Sequence, residues 1–162
     1  KHIMSIPIVH VGKANGRQKY KDVLLDNSYP WQRQHWRTLE TAYRTSPFFE
    51  FYEDDIKILY IQTFERLLDF NLKTIEIIFE CLQLEMPVEK SKVFEDSPTN
   101  KEDYRFLVSA KLKHKFTQEP YVQVFGDRHG FISNLSILDL LFNVGPNSVD
   151  YLNKDFLSLP ND

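Results

Sequence analysis

Cysteine is nearly absent from this chain: Cys81 is the single one among 162 residues. One thiol cannot form an internal disulfide bond, a pattern that suits a reducing compartment. No run approaches the ~20 apolar residues that a membrane-spanning helix needs, and residues 1–20 lack the apolar core of a signal peptide. We therefore expect a cytoplasmic protein. Because the chain starts at Lys1 in a strand-like run, we also expect that a preceding part of the native protein is missing.

An excess of positive charge is also absent. Twenty Lys and Arg stand against 23 Asp and Glu, a formal net charge of −3. No global positive field can then hold nucleic acid or an anionic membrane, although a local patch could still bind a phosphate. The length fits one domain, and 13 Phe with 8 Tyr can supply the buried area of one core. We predict a single domain over residues 1–162, with no nucleic-acid partner and no membrane span.

Familiar catalytic and cofactor motifs are missing too. The chain has no GxGxxG, P-loop, HExxH, GxSxG or paired CxxC. We expect no cofactor and no bound metal. Cys81 has no cationic neighbour within one helical turn, which argues against a nucleophilic role. An acidic run could recruit a divalent ion, but the solvated first turns of a helix explain it more simply; the run is Glu50, Glu53, Asp54 and Asp55.

Helical periodicity is present in several segments. Apolar residues recur at helical spacing over 31–45, 61–82 and 134–143. Ser46-Pro47 predicts the start of a further helix, since Ser is a good N-cap and Pro is favoured at the first helical position. Ser133 or Asn134 would cap the last helix, which ends at Gly145-Pro146.

Asn71 interrupts the apolar face of the predicted 61–82 helix. Either the helix breaks at residues 69–71, with Asp69 or Asn71 capping a second segment, or a polar side chain enters the core and needs partners there. The sequence favours the break.

Strand signals lie between the helical segments. Residues 3–11 are apolar and β-branched, and "DVLLD" at residues 22–26 predicts a second strand after a turn-rich stretch. Asn15-Gly16 between them is a hairpin signal. Residues 106–116 alternate with a period of two, and residues 120–125 predict another strand. The sequence therefore predicts the α/β class, as helices packed on a small mixed β-sheet.

Two polar positions occur in apolar helical surroundings. His35 lies inside the apolar arc of the first helix, where it could act as a general base or be a core histidine bonded to a backbone carbonyl. Asp139 and Ser136 share a narrow polar stripe, which could line a pocket, face solvent or hold an ion pair. If His35 approached Asp139, the carboxylate would orient the imidazole as in known base pairs.

A second polar group surrounds the "GDRHG" loop. Gln123, Arg128 and His129 lie there with His114, and Arg128 could clamp a phosphate or carboxylate. A charged surface turn is the alternative. Three lysines on the 106–116 strand could contact an anionic ligand such as a nucleotide sugar, or simply protect a sheet edge; they are Lys111, Lys113 and Lys115.

Three separated blocks match one known family pattern. They are "WQRQHWRTLETAYRTSPFFEFYEDDI", "LLDFN" and "GFISNLSILDLLFNVGP". Together they resemble the WbqC-like family, in which a Trp/His helix precedes Tyr-x-x-Ser-Pro-x-Phe and an Asn-Leu-Ser-x-x-Asp-Leu-Leu-Phe helix ends in Gly-Pro. The resemblance covers about residues 3–152. The family's N-terminal part, with a Phe-Pro-Tyr-x-Gly block and a later Asn-Arg, is not found in this chain.

The resemblance implies a function. Family members occur in bacterial O-antigen and other surface-polysaccharide gene clusters, and transfer of glycine or another acyl group to an aminosugar has been suggested for them. We expect a bacterial cytoplasmic transferase whose partners are a sugar nucleotide and an acyl or aminoacyl donor. A noncatalytic protein that binds a sugar nucleotide or a partner of the same pathway is the alternative.

Site residues follow from the same resemblance. The matching positions are His35, Tyr43, Ser46, Pro47, Asn71, Gln123, Asn134, Ser136 and Asp139. His35 would deprotonate the attacking amine, and Asp139 would orient His35 or the amine. Gln123 and Asn134 would hold sugar hydroxyls or the acyl oxygen. The remaining predicted substrate-binding residues are Tyr43, Asn71 and Ser136 from the resemblance, and Arg128 and His129 from the glycine loop described above.

Overall fold

The computed structural model describes residues 2–10, 12, 18–87, 89–99, 102–108 and 118–154. Helices dominate this part of the chain. The α-helices are α1 (Trp31–Tyr43), α2 (Phe49–Ile61), α3 (Leu67–Cys81), α4 (Gly126–His129), α5 (Ile137–Val144) and α6 (Ser148–Leu152). Short 3₁₀ turns occur at Tyr20–Asp22, Arg105–Val108 and Gly145–Asn147. No helix in the described ranges is both long and apolar enough to cross a bilayer.

Helix α2 lies at the centre of the packing and contacts α1, α3 and α5. Phe49, Tyr52, Ile56 and Leu59 recur every three or four residues, which places them on one face, and each is at most 3% exposed. Phe49 contacts the Phe142 ring of α5 at a centroid distance of 5.0 Å. Because fully burying such side chains contributes ~1.5–3 kcal/mol each, this face contributes several kcal/mol to the stability of the core.

The junction between α1 and α2 uses Ser46 differently from the prediction. The Ser46 hydroxyl donates to the Tyr43 carbonyl at 2.6 Å and so closes the end of α1. Helix α2 begins at Phe49, and its N-cap position, Phe48, makes no capping bond through its side chain. The predicted start, with Ser46 as N-cap and Pro47 as first helical residue, was therefore two residues early.

The predicted mixed β-sheet is wrong for the described residues. They contain no strand, only isolated antiparallel bridges at two places. The paired residues are Ile8 with Leu25 and Leu24 with Arg66. The protein is therefore a packed helical assembly over its described part, with extended segments lying against the helices.

Pro7 explains why this pairing stops so soon. Val9 N donates to Leu24 O at 2.9 Å, and Asp26 N donates to Pro7 O at 3.0 Å. Pro7 has no N–H with which to return a bond to Asp26, so the ladder cannot extend in that direction. The hairpin signal at Asn15-Gly16 lies outside the described residues.

The two later strand predictions fare differently. Residues 120–125 form no strand; they have no regular structure as far as Gln123 and then turn into α4, which replaces the predicted glycine loop. Most of the predicted strand 106–116, including His114 and the three lysines, lies outside the described residues. Its described beginning is the 3₁₀ turn Arg105–Val108.

Helix α3 is continuous through Asn71, so the predicted break at residues 69–71 is wrong. The Asn71 amide donates to the Tyr20 hydroxyl at the edge of the fold. The helix is shorter than predicted at its beginning, because α2 extends to Ile61 and a non-helical link follows. A polar residue on the apolar face thus found a partner instead of ending the helix.

Helix α5 also begins later than predicted. Its N-cap is Ser136, whose hydroxyl accepts a bond from Leu138 N at 3.3 Å, rather than Ser133 or Asn134. Gly145 ends the helix as predicted, with a left-handed φ of 63°. A Cβ at this position would lie 2.6 Å from the Phe48 ring, so glycine is required by both backbone and packing.

Candidate functional site

Asp139 is the polar centre of the core. It lies in the first turn of α5, where the helix macrodipole favours a carboxylate, and is 3% exposed. Tyr43 of α1 donates to Oδ1 at 2.9 Å. Tyr121 and Gln123 donate to Oδ2 at 2.7 Å and 3.0 Å. One carboxylate thus holds α1, α5 and the segment before α4 together.

Gln123 closes the loop that carries α4. Its amide nitrogen donates to Ile132 O at 2.9 Å as well as to Asp139, and its amide oxygen accepts from Ile132 N at 2.9 Å. Both ends of the side chain are therefore fixed. This clamp places Arg128 and His129 at a defined position relative to Asp139.

The two tyrosines remain protonated donors. Burial, followed by the nearby Asp139 carboxylate, raises the pKa of Tyr43 far above its ordinary value. Burial likewise raises the pKa of Tyr121, with the hydrogen bond to Asp139 as the next cause. Neither phenol can serve as a base near neutral pH, and both stabilise the carboxylate by donating to it.

A cavity of about 490 Å³ opens beside Asp139. This volume falls within the range of ordinary small-molecule sites. Six predicted site residues line it: Tyr43, Gln123, Arg128, His129, Ser136 and Asp139. Much of the remaining wall is apolar and comes from Met4, Leu39, Ala42, Ile132, Leu135 and Leu138.

His35 lies elsewhere on α1. Its ring packs against Trp31 at 5.3 Å and Tyr60 at 6.5 Å between centroids. Eight residues separate it from Tyr43, about 12 Å along a helix axis. Although described, it is not among the residues that line the cavity. The structure does not bring His35 and Asp139 together at the cavity, so their pairing as a catalytic unit stays a prediction.

The surroundings of His35 connect it to the cavity indirectly. Burial lowers its pKa, a hydrogen bond with the Ser5 backbone raises it, and nearby His2 lowers it. His2 and Met4 line the cavity. His35 therefore contacts the segment that forms one wall of the cavity.

Two other predicted residues lie outside the cavity lining. Asn71 bonds Tyr20 on α3. Asn134 has a left-handed φ of 52°, a conformation that Asn tolerates better than most residues, and its backbone N–H donates to the Gln118 side chain at 2.6 Å. Their substrate-binding roles stay predictions.

Sequence reasoning missed Tyr121 and the wall from residues 2–4. Tyr121 could have been found, because residues i and i+2 of an extended segment share a face and Gln123 was already a candidate. No sequence signal placed His2 or Met4 at the site, since their position depends on tertiary packing. Within the described ranges, no group of three His, Cys, Asp or Glu side chains could hold a metal ion.

A ligand-sized cavity between helices, with a buried carboxylate in its wall, is typical of a small-molecule-binding protein. Comparison with known proteins places the chain more narrowly. The WbqC-like protein family matches residues 1–115, and the chain belongs to that family. Membership suggests a role in polysaccharide-related biosynthesis.

One curated relative is the "Uncharacterized protein Rv1507c" of Mycobacterium tuberculosis strain H37Rv. It is 23% identical over 175 residues, which cover 92% of this chain and 74% of the relative. No solved structure matches the chain. The family match ends before Gln123 and Asp139, so the evidence for their placement is structural.

Proposed function

We propose that the cavity binds the aminosugar of a nucleotide-linked surface-polysaccharide precursor, and that the protein transfers an acyl or aminoacyl group to the sugar amine. The main observation that supports this proposal is the buried carboxylate of Asp139. Its carboxylate is buried, and no cationic side chain in the described part of the chain forms an ion pair with it. Buried charges are normally compensated by an opposite charge or by strong hydrogen bonds.

The hydrogen-bond inventory of Asp139 favours a ligand that donates. A carboxylate offers about four acceptor positions on its two oxygens. Among the described contacts, Oδ2 accepts two bonds and Oδ1 accepts one. Because Asp139 lines the cavity, the remaining position on Oδ1 suits an amine, which donates N–H and can offset the negative charge when protonated.

The transfer step needs a base for the amine. The amine nitrogen attacks the carbonyl carbon of an activated ester or thioester donor, a C–N bond forms, and the bond to the alcohol or thiol leaving group breaks. The proton released by nitrogen passes to the base and then to the leaving oxygen or sulfur. His35 is favoured as the base by the family resemblance, and its contacts with the Ser5 backbone and His2 place it against one wall of the cavity. Asp139 positions the amine.

Product mass tests the transfer. The full-length protein is incubated with uridine-diphosphate-glucosamine and a panel of acyl and aminoacyl thioesters and esters. We expect a sugar product heavier by one acyl group. Absence of any mass gain with all donors, despite binding of the sugar nucleotide, would overturn the transferase proposal in favour of a noncatalytic binding protein.

Two matched variants identify the base. His35→Gln should reduce turnover at least a hundredfold, in line with general-base catalysis, while exchange of the exposed His10 for Gln should retain it. Full turnover of the His35 variant would rule out His35 as the base. Asp150→Asn, on the exposed face of α6, serves as a control that should leave turnover unchanged.

The noncatalytic alternative is favoured by one observation. Asp139 already accepts bonds from three protein donors and joins three parts of the fold. A carboxylate with that structural role needs no catalytic role to explain its burial. The product-mass experiment separates the two functions.

A further inference from the structure

We propose that Arg128 and His129 form an anion subsite of the cavity that binds the diphosphate of the substrate's carrier. This inference rests on the proposed function and specifies which part of the substrate these residues contact. Both residues line the same cavity as Asp139. The cavity would therefore carry two binding groups of opposite charge, the carboxylate for an amine and the basic pair for an anion.

The basic pair has no counter-ion among the described residues. In the described part of the chain, neither side chain forms an ion pair or a hydrogen bond. Two described arginines are paired: Arg44 bonds Glu53 at 2.6 Å, and Arg105 bonds Asp103 at 2.5 Å. Others, such as Arg37, form no ion pair with described residues, but unlike Arg128 they do not line the cavity. An unmatched arginine beside a cavity is available for a ligand.

The local fold presents these side chains together. Arg128 and His129 are consecutive on α4, and the Gln123 clamp fixes the loop that carries them. His2, from the opposite end of the described chain, also lines the cavity and adds a third basic side chain. The chain as a whole has a formal net charge of −3, so this grouping is local rather than part of a general positive surface.

The chemistry of the pair favours phosphate oxygens. A guanidinium offers five N–H donors in a planar fork that matches two oxygens of a phosphate, and an imidazole adds one further donor. A single carboxylate ligand would engage the fork but leave His129 and His2 without an acceptor. A diphosphate offers enough acceptors for all three side chains. It occurs both in soluble nucleotide sugars and in lipid-linked sugars.

Binding of inorganic pyrophosphate tests the subsite directly. The full chain is titrated calorimetrically with pyrophosphate. Arg128→Gln should weaken binding at least tenfold and His129→Gln at least threefold. Arg37→Gln removes an exposed arginine of α1 that does not line the cavity, and should leave affinity unchanged. No binding to the wild type, or equal affinity of the Arg128 and Arg37 variants, would overturn the subsite.

A second titration separates this inference from the proposed function. Free glucosamine should bind Arg128→Gln as it binds the wild type. If Arg128→Gln weakens pyrophosphate binding but the wild type transfers no acyl group, the anion subsite is supported and the transferase function is rejected. If the wild type transfers the acyl group but Arg128→Gln binds pyrophosphate as tightly as the wild type, the transferase function is supported and the subsite is rejected.

The same variants identify the carrier. Uridine-diphosphate-glucosamine in buffer is compared with a polyprenyl-diphosphate-linked aminosugar in detergent micelles. If Arg128→Gln lowers the affinity for one of them tenfold, the diphosphate subsite is supported and that compound is identified as the carrier. No loss for either carrier would contradict it.

Discussion

The Asp139 side chain accepts three hydrogen bonds, from donors on α1 and on the segment before α4. Tyr43, Tyr121 and Gln123 would each lose an acceptor if the carboxylate were removed. Hydrogen bonds to a charged group contribute about 1.5–3 kcal/mol each, and these three are not additive because they share one carboxylate. The residue therefore has a structural role apart from any chemistry.

Asp139→Asn should lower the free energy of unfolding by about 2–4 kcal/mol. The new amide brings N–H groups toward side chains that already donate, so at least one bond is replaced by a donor–donor contact. Urea denaturation followed by circular dichroism measures the change. Asp150→Asn should stay within about 0.5 kcal/mol of wild type. Equal stability of the two variants would contradict the role assigned to Asp139.

His35 should make stability depend on pH. Burial lowers its pKa below 6.5, so the unfolded chain binds a proton at a higher pH than the folded chain does. Stability is therefore greatest above 6.5, falls as the pH drops toward the lowered pKa, and stops changing from this source below it. Urea midpoints measured from about pH 7.5 to about pH 5 should show this decline.

His35→Gln should flatten that pH dependence. Exchange of the exposed His10 should leave the wild-type slope in place. If the His35 variant kept the full slope, the depressed pKa would not be the cause.

Helix α5 can end as it does only with glycine at position 145. Gly145→Ala places a Cβ 2.6 Å from the Phe48 ring at a residue with φ of 63°. Backbone strain and overpacking together should cost about 2–4 kcal/mol. Thermal unfolding of the variant measures the loss.

Gly126→Ala is the matched comparison for this prediction. A Cβ at Gly126 meets nothing within 4 Å, and the residue begins a helix. We expect no loss, and up to about 1 kcal/mol of gain from reduced freedom of the unfolded chain. Equal effects of the two substitutions would show that space and φ do not govern Gly145.

Helices were predictable from the sequence where one face carried a strong period. The predictions of a helix from Trp31 and of a helix end at Gly145 are confirmed, because amphipathic spacing and capping act locally. The β-sheet prediction failed because β-branched composition only favours extended backbone. Whether extended segments pair depends on distant partners, and Pro7 removes a needed N–H.

The candidate site was partly predictable for a similar reason. Asp139 and Ser136 stood out as a polar stripe on an apolar helix, and both line the cavity. Tyr43 followed from the family resemblance. His35 shows a comparable pattern but packs against aromatic rings two turns away from Tyr43. A helical wheel shows which way a side chain points, but it does not show which residues of other helices lie there. The wall from His2 and Met4 depends on the path of the chain in space.

Buried tyrosines should make the folded protein less stable at alkaline pH. Burial raises the pKa of Tyr60 to about 12, and the pKa values of Tyr43 and Tyr121 are raised as well. Unfolded tyrosines lose their proton near 10. Stability from these phenols is complete below that pH and is lost as the pH rises toward 12, because only the unfolded chain releases the proton readily.

Urea midpoints at about pH 8 and about pH 10.5 test this expectation. Tyr60→Phe should reduce the alkaline loss, whereas Tyr29→Phe should not, since Tyr29 is 63% exposed. An alkaline loss unchanged in Tyr60→Phe would assign the limit to other groups.

The Gln123 clamp has a kinetic consequence for the loop between residues 123 and 132. With both ends of that loop joined through one amide, its backbone should open as a cooperative unit rather than fray residue by residue. Hydrogen exchange of the Ile132 amide would then report the opening of the entire loop. An anion held by Arg128 should slow exchange at Ile132, although the two residues need not touch.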